Sequence, residues 1–523
     1  MIPEKTSVQT ELFVKKLYLE ISYINLLYFS DKENIIGDTP HEMKAHRAER
    51  ETNILRPIMG LKGAYDMKTN RYKLSNQITE GVIWKQLLFF FFPILFGTFF
   101  QQLYNTTDAV IVGKFVGKEA LAAVGGPAAT LINLLIGFFT GLSSGATVII
   151  SQYYGAKKEE DVKNTVHTAV ALSIAGGAVI MVLGLIFSGA ALKAMNTPKE
   201  ILKMSATYMR IYFLGVIPSL IYNMGSGILR AVGDSKRPLY FLILSCITNI
   251  ILDFVFVTGL RMGVAGVAVA TILSQLISAF MVCVALIRAD DCYRMYLKEI
   301  RFHPMLLHRI VRIGLPAGIQ STMYSLSNLI IQSSVNSFGT DTIAAWTAYG
   351  KIDGIFWMIM GAYGVSITTF AGQNFGAGKY DRIKKSVRIC LGMAAFTSFL
   401  LSFVVLTGGR MFFHLFTNDA DVVAIGLGMM RVIAPSYVTY ICIEILGGTT
   451  RGCGDAVFPT VMTGIGICAL RVVWIWVVVP LRPEISTVAF SYPLTWAVTS
   501  VFFIIYYLKG NWLKRCLYTA VPK

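Results

Sequence analysis

The chain has little charge for its length, and it lacks the motifs of many soluble enzymes. Of its 523 residues, 15% are charged and 54% are hydrophobic, whereas about a quarter of the residues in soluble domains are charged. Its six histidines and eight cysteines show neither metal-ligand spacing nor a Cys-x-x-Cys pair, which argues against a zinc site and a disulfide framework. Neither a nucleophile–base pair nor a Gly-x-x-x-x-Gly-Lys-Ser/Thr loop is visible, so we expect no enzyme, no metal centre and no organic cofactor.

Long apolar runs separated by short polar breaks are what the chain does have, from Trp84 onward. Each run can supply the roughly 20 residues that a transmembrane helix needs. We predict an all-α membrane protein with twelve transmembrane helices. The predicted spans are residues 87–112, 120–150, 163–188, 202–229, 238–259, 264–287, 314–337, 343–372, 384–409, 422–449, 457–480 and 486–508.

Basic residues outnumber acidic ones by 47 to 30, and their distribution predicts an orientation. Loops after even-numbered spans, together with the C-terminal tail, hold 22 Lys and Arg, while loops after odd-numbered spans hold eight. Since cytoplasmic loops are enriched in Lys and Arg, both termini are predicted to lie in the cytoplasm and the protein in the cell membrane. The surplus charge therefore indicates topology, and we expect a lipid bilayer rather than nucleic acid as its partner.

The N-terminal segment 1–80 differs in composition from the rest of the chain. It holds 12 Lys and Arg against 11 Asp and Glu, while the segment 81–523 holds 35 against 19 and nearly all of the long apolar runs. We predict a poorly ordered extension at 1–80. The other predicted segments are an N-terminal half at 81–290, a cytoplasmic linker at 291–312, a C-terminal half at 313–510 and a cytoplasmic tail at 511–523.

The two halves repeat each other at a fixed spacing, which we call the repeat offset. Gln152-Tyr-Tyr-Gly-Ala resembles Gln373-Asn-Phe-Gly-Ala, and Arg230-x-x-Gly-Asp resembles Arg451-x-x-Gly-Asp, with the same separation between the members of both pairs. Shared membrane composition does not produce several such identities at one offset. We therefore predict a duplication into two six-helix bundles related by pseudo-two-fold symmetry. Duplicated bundles around a central cleft are typical of transporters that work by alternating access.

Charged and polar residues within the N-terminal apolar runs point to an ion site. Asp108 lies in span 1, Asn249 and Asp253 lie four positions apart in span 5, and Thr271 lies in span 6. Residues with this spacing share one helix face, and carboxylates at membrane depth are costly unless they serve an ion or proton pathway. We predict a site for H⁺ or Na⁺ here. The alternative is that both aspartates sit at hydrated span ends with a structural role.

The C-terminal half does not repeat this cluster. At the repeat offset Asn249 becomes Leu470 and Asp253 becomes Trp474, while the charges of this half are Asp353, Glu444 and Arg471. We predict that these three contact substrate or form a structural ion pair. Alternatively, Arg471 reaches the membrane surface or packs against carbonyl groups.

Prolines and turn motifs supply candidate hinge or structural positions. Pro93 and Pro316 lie in the first span of each half, where proline removes a hydrogen bond and permits a bend. Each Arg-x-x-Gly-Asp motif follows a span, and there the aspartate can cap the next helix and the arginine can bond terminal carbonyl groups. The motif residues in question are Arg230, Asp234, Arg451 and Asp455.

Several of these segments together resemble bacterial MATE (multidrug and toxic compound extrusion) transporters over positions 80 to 510. They are Gln101-Gln-Leu-Tyr-Asn-Thr-Thr-Asp108, Leu121-Ala-Ala-Val-Gly125, Arg230-Ala-Val-Gly-Asp234, Asn249-Ile-Ile-Leu-Asp253 and Gly263-Val-Ala-Gly-Val-Ala-Val-Ala-Thr271. The resemblance implies a twelve-helix, two-lobed antiporter that exports amphipathic, often cationic compounds in exchange for H⁺ or Na⁺. It also implies that the family's N-lobe cation site falls on Asp108, Asn249, Asp253 and Thr271. Some members carry an acidic residue in span 7, but Gln320-Ser-Thr-Met-Tyr-Ser325 has none.

Other functions remain open at this point. A lipid-linked oligosaccharide flippase of the same superfamily would share the repeated bundles, but it usually has more spans and a strongly basic cavity. A sugar-type major facilitator would carry a basic Gly-x-x-x-Asp-Arg/Lys loop after span 2, and this chain has Gln152-Tyr-Tyr-Gly-Ala-Lys-Lys-Glu there instead. We expect the protein to act as a monomer.

Overall fold

The computed structural model describes residues 77–520, and nearly all of them are helical. The helices that precede residue 290 are α1 (Gln77–Glu80), α2 (Ile83–Phe115), α3 (Lys118–Gly125), α4 (Pro127–Gly155), α5 (Glu159–Ala194), α6 (Lys199–Leu214), α7 (Val216–Ala231), α8 (Lys236–Asp253) and α9 (Gly263–Ile287). The remaining helices are α10 (Pro304–Asn336), α11 (Thr340–Gly376), α12 (Tyr380–His414), α13 (Ala420–Ile433), α14 (Tyr437–Gly452), α15 (Val457–Thr463), α16 (Leu470–Leu481), α17 (Ile485–Lys509) and α18 (Trp512–Ala520).

Short irregular helical segments join some of these elements. A π-helical segment, Phe254–Gly259, continues α8, and another, Gly464–Ala469, joins α15 to α16. Helices α6 and α7 meet at Gly215 with a bend of 51°. No strand occurs among residues 77–520.

The outer surface of these helices is strongly apolar. Phe89, Phe280, Phe396 and Trp476 are each 70% exposed, and Leu508 is 73% exposed. Soluble proteins do not spread large apolar side chains over their surface in this way, whereas lipid solvates them and leaves the backbone bonds to the helix itself. Within residues 77–520, ten helical segments are long and apolar enough to cross a membrane, and the bent pair α6–α7 makes an eleventh.

Each of the twelve predicted spans falls on helical structure, but the seventh is less apolar than the others. It lies in α10, which has 33 residues and is not among the segments counted as apolar enough to cross. Ser, Gln and Asn side chains interrupt its apolar run. Twelve crossings and the two-bundle symmetry therefore stay predictions, while an all-helical protein with ten or eleven candidate spans is what the structure contains over its described range.

Two predicted segments have helical structure of their own. Helix α10 begins at Pro304, inside the linker predicted at 291–312. In the predicted tail, α18 places Trp512 and Cys516 in one hydrophobic cluster with Phe375 of α11. The predicted extension at 1–80 lies outside the described residues except for its last four, which form α1.

Glycines allow a close helix crossing between α4 and α10. A Cβ atom on Gly145 would meet the backbone of Ile310 and Gly314, and one on Gly141 would meet the backbone of Ala317 and Gly318. Glycine, which has no Cβ atom, permits the two backbones to come this close, as at other small-residue helix interfaces in membranes.

We expect Gly145→Ala to destabilise the protein by about 1–3 kcal/mol, because the added methyl must push two backbones apart. Gly350→Ala is the matched control, since a Cβ on Gly350 in α11 meets nothing within 4 Å and alanine favours helix by up to about 1 kcal/mol over glycine. Thermal unfolding of both purified variants in detergent measures the difference. Equal melting temperatures would contradict the close crossing.

Candidate functional site

Three helices bring the four predicted cation-site residues together in the N-terminal half. Asp108 comes from α2, Asn249 and Asp253 from one face of α8, and Thr271 from α9. These helices pack against one another. All four side chains are buried, with Asp108 the most exposed at 6%. Asp253 ends α8, but the π-helical segment continues the chain to Gly259, so Asp253 does not lie at the end of the helical run.

The hydrogen bonds of this cluster are incomplete. Thr271 Oγ1 donates to Asp108 Oδ2 at 3.4 Å. Asn249 and Asp253 lie beside the Asp108 carboxylate, but Asp108 Oδ1 and the side-chain oxygens of Asp253 have no hydrogen-bond partner among the described residues. The same holds for both polar atoms of Asn249. Buried polar atoms are normally satisfied, so the cluster has free acceptor capacity for a proton or a small cation.

The donor set has a defined chemistry. No group of three or more His, Cys, Asp or Glu that could hold a metal ion occurs within the described range 77–520. The cluster instead offers two carboxylates, an amide oxygen and a hydroxyl. Hard cations prefer oxygen ligands of this kind, and two neighbouring carboxylates can also share a proton.

Tyrosine and glutamine side chains around the cluster were not predicted from the sequence. Tyr104 of α2 and Tyr212 of α6 have their hydroxyl groups beside the side chain of Gln275 on α9, and both also lie near Asp108. Tyr104 precedes Asp108 by four positions and Gln275 follows Thr271 by four. This spacing puts Tyr104 on the same helix face as Asp108, and Gln275 on the same helix face as Thr271. It is the sequence signal that could have identified the two residues.

Asp353 in the C-terminal half is half-buried and held by three donors. Tyr437 Oη of α14 donates to its carboxylate at 2.7 Å, and Trp357 Nε1 donates at 2.7 Å. The Tyr349 hydroxyl donates at 3.3 Å. Trp357 and Tyr349 lie one helical turn to either side of Asp353 on α11. The three donors leave this carboxylate well satisfied, unlike those of the N-terminal cluster.

Glu444 and Arg471 pair neither with each other nor with Asp353. Glu444 accepts from the Tyr440 hydroxyl at 3.1 Å. Arg471 is 2% exposed. Its Nη2 donates to Thr495 Oγ1 at 3.3 Å, and its guanidinium lies 4.1 Å from the centre of the Tyr492 ring. The ion pairs found within residues 77–520 include none of these three charges. The structural ion pair offered as one interpretation of the sequence is thus absent from the described part of the chain, and Arg471 is buried against an aromatic ring rather than at the membrane surface.

The predicted hinge prolines do not break their helices. Pro93 lies within the 33-residue α2 and Pro316 within the 33-residue α10, and both helices run past them without interruption. Neighbouring turns and helices can absorb the lost hydrogen bond in a membrane protein. Their role as hinges stays a prediction.

The two Arg-x-x-Gly-Asp motifs form turns between helices. Asp234 Oδ1 accepts from the backbone of Lys236 and Arg237 at 3.0 Å each, and Asp455 Oδ1 accepts from the backbone of Phe458 at 3.2 Å. The glycines of the two motifs have φ of +101° and +106°, a conformation that glycine adopts without strain. Arg451 donates to Gln320 at 3.2 Å instead of to a helix-terminal carbonyl. Arg230 is half-buried, with no partner for its Nε among the described residues.

Comparison with known proteins identifies the family to which this chain belongs. A family model described as MatE matches residues 93–255 and, a second time, residues 316–477. The probable multidrug resistance protein YoeA of Bacillus subtilis is 30% identical over 462 residues, which cover 86% of this chain and 98% of that protein. The multidrug export protein MepA of Staphylococcus aureus is 21% identical, with 75% and 87% covered.

Solved structures agree in fold. One, described as the outward-facing conformation of a multidrug resistance MATE family transporter of the MOP superfamily, has a TM-score of 0.78 at 22% identity and covers 84% of this chain and 98% of its own. Another, from Pyrococcus furiosus and described as a MOP superfamily transporter with a binding pocket of reversed polarity, has a TM-score of 0.78 at 21% identity and covers 85% and 98%. The protein is thus a multi-pass helical membrane transporter. It belongs to the MatE family.

Proposed function

We propose that this protein is a cation-coupled antiporter that exports amphipathic, often cationic drugs or toxins. The observation that carries the proposal is the buried cluster of Asp108, Asn249, Asp253 and Thr271, whose carboxylate oxygens retain free acceptor capacity. Such carboxylates inside a membrane bundle serve ion or proton pathways in transporters. The relatives YoeA and MepA are described as multidrug resistance or export proteins, which supports export rather than an enzymatic role or oligosaccharide flipping.

The proposed architecture is twelve transmembrane helices in two six-helix bundles with pseudo-two-fold symmetry. Its support is the internal repeat in the sequence and the two stretches matched by one family model. In this arrangement residues 81–290 and 313–510 are the two lobes, joined by the cytoplasmic segment at 291–312. Both termini face the cytoplasm, the protein acts as a monomer in the cell membrane, and it needs no cofactor beyond H⁺ or Na⁺.

The transport cycle follows from competition between ion and substrate. In the outward-facing state, binding of H⁺ or Na⁺ at Asp108 and Asp253 weakens substrate binding, and the substrate leaves. Neutralising the two carboxylates lets the lobes rock, after which the ion leaves to the cytoplasm and new substrate enters. The coupling is reciprocal, so substrate weakens ion binding by the same factor. Asp353, Glu444 and Arg471 contact substrate or stabilise the C-terminal lobe.

Transport into inverted membrane vesicles tests this function and identifies the ion. A pH gradient and a sodium gradient are imposed separately, and uptake of a cationic dye is followed by fluorescence. We expect uptake with one gradient and little with the other. Uptake that needs ATP, or that runs equally fast without any gradient, would contradict cation-coupled export.

A further inference from the structure

Two glutamines join the halves of the protein by crossed hydrogen bonds. Gln152, near the end of α4, donates from Nε2 to the carbonyl oxygen of Gly452 at 2.9 Å. Gln373, near the end of α11, donates from Nε2 to the carbonyl oxygen of Ala231 at 2.6 Å, which also accepts a longer bond of 3.3 Å from Ser151 Oγ. Both glutamines are buried. Each glutamine bond runs from one half of the sequence to the other.

Each acceptor is the terminal carbonyl of a helix. Ala231 ends α7 and Gly452 ends α14, where the last carbonyls have no partner inside the helix. The loop N–H groups that follow α14 donate to Thr449, Arg451 and Thr450, so they bypass Gly452. The corresponding groups after α7 bypass Ala231 in the same manner. The glutamines of the opposite half therefore cap both helices.

Backbone contacts reinforce these bonds. A Cβ on Gly155 would collide with the backbone of Gln373, and a Cβ on Gly376 would collide with the backbone of Gln152. The two glycines thus let the ends of α4 and α11 cross with no side chain between them. Each is the glycine of the Gln-x-x-Gly-Ala motif that carries the glutamine.

The whole arrangement is exchanged by the internal repeat. The repeat offset relates Gln152 to Gln373, and it likewise relates Ala231 to Gly452 and Gly155 to Gly376. A two-fold relation makes a contact self-complementary, because every interaction appears twice with the partners exchanged. The two repeated motifs therefore recognise each other across the halves: each Gln-x-x-Gly-Ala segment binds the Arg-x-x-Gly-Asp turn of the opposite half.

We propose that Gln152 and Gln373, with the carbonyl groups of Gly452 and Ala231, form a crossed glutamine latch that closes the cytoplasmic side of the transporter. The inference rests on the proposed alternating access. Loop charges place this end of α4, α7, α11 and α14 in the cytoplasm, so the lobes cannot open inward until both bonds break. The glutamines are positioning residues: they bias the equilibrium between the two states without touching ion or substrate.

Two exposed acidic positions allow the opening to be measured. Glu160 in the first turn of α5 and Asp381 in the first turn of α12 are also related by the repeat offset, and they border the latch region. Spin labels on Glu160→Cys and Asp381→Cys, in a background without reactive native cysteines that still transports, report the distance between the halves by double electron–electron resonance. The protein is reconstituted in lipid nanodiscs, and the ion and substrate conditions are varied.

We expect Gln152→Met and Gln373→Met each to raise the ratio of long to short distances by about three- to tenfold, which is the equilibrium effect of one hydrogen bond. Methionine keeps the volume of the side chain but cannot donate. The double variant should show the product of the two single effects, because both bonds must break in the same step. Asn variants, which are too short to reach the carbonyl groups, should shift the ratio in the same direction if the Met variants fold poorly.

Trp474→Phe is the control. Trp474 Nε1 donates to the carbonyl oxygen of Thr487 at 2.8 Å, and both residues lie in the C-terminal half outside the two repeated motifs, so losing this bond should lower the melting temperature without changing the distance ratio. A double latch variant that shifts the ratio no more than Trp474→Phe would overturn the latch. A wild-type protein with a single distance under every ion and substrate condition would instead contradict alternating access, so the two failures are distinguishable.

Discussion

Replacing Asp108 by asparagine is expected to lower gradient-driven uptake of a cationic dye strongly while leaving the protein folded. The substitution keeps the shape of the side chain and an acceptor oxygen for Thr271 Oγ1, but it removes the charge that a proton or sodium ion would neutralise. Since ion and substrate binding are linked at this site, uptake should fall by roughly 5- to 150-fold, the range of typical coupling factors. Asp253→Asn should have a similar effect.

Inverted vesicles with equal amounts of each variant provide the measurement, under whichever gradient drives the wild type. Asp341→Asn is the control. Asp341 lies exposed at the start of α11, so this substitution makes the same chemical change away from the cluster. Asp108→Asn with normal, ion-dependent transport would show that the coupling site lies elsewhere.

Replacing Asp353 by alanine is expected to cause the largest loss of stability, about 3–5 kcal/mol. Tyr437, Trp357 and Tyr349 all donate to this carboxylate, and the two tyrosines are buried. Each buried donor that loses its acceptor costs about 1–3 kcal/mol. Against a total stability of about 5–15 kcal/mol, such a loss should leave little folded protein after extraction into detergent. Asp353→Asn should be milder, because it retains one acceptor oxygen.

Size-exclusion chromatography and thermal unfolding measure this effect, with Asp341→Ala on the same helix as the control. A stable Asp353→Ala protein that transports without ion dependence would contradict the structural role. In that case Asp353 would be a second coupling residue, and the N-terminal cluster would not act alone.

Apolar run length predicted the helical architecture well, for a simple reason. A helix that crosses lipid must satisfy its own backbone and present apolar side chains over roughly 20 residues, so each predicted span coincides with helical structure. The exception is α10, which contains the seventh predicted span and is less apolar than the other spans. One side of it packs against the glycine-lined face of α4, and a face that contacts protein can carry polar residues that a lipid-facing surface cannot.

The sequence also singled out Asp108, Asn249, Asp253 and Thr271 as candidates, because carboxylates are conspicuous in apolar runs and the spacing of Asn249 and Asp253 puts them on one helix face. Their role as a cation site stays a prediction. The surrounding Tyr104 and Gln275 were missed, although each lies four positions from a cation-site residue on its own helix, because the sequence does not show that α2 and α9 pack together there. The environment of Arg471 was missed for a related reason. Sequence spacing cannot tell whether a distant carboxylate or a tyrosine ring meets a buried guanidinium.

Composition and periodicity alone thus determined that this protein is helical, lies in a membrane, repeats its Gln-x-x-Gly-Ala and Arg-x-x-Gly-Asp motifs at one offset and carries two carboxylates where lipid-facing sequence has none. These properties follow from the free energy of placing each residue in lipid or water, which depends on the residue itself and little on how the helices pack. Only the tertiary structure decided that Asp108 and Asp253 meet, that Asp353 is satisfied by three donors, and that Gln152 and Gln373 cap the helices of the opposite half. Those contacts join residues far apart in the chain, and which of them form depends on how the helices pack.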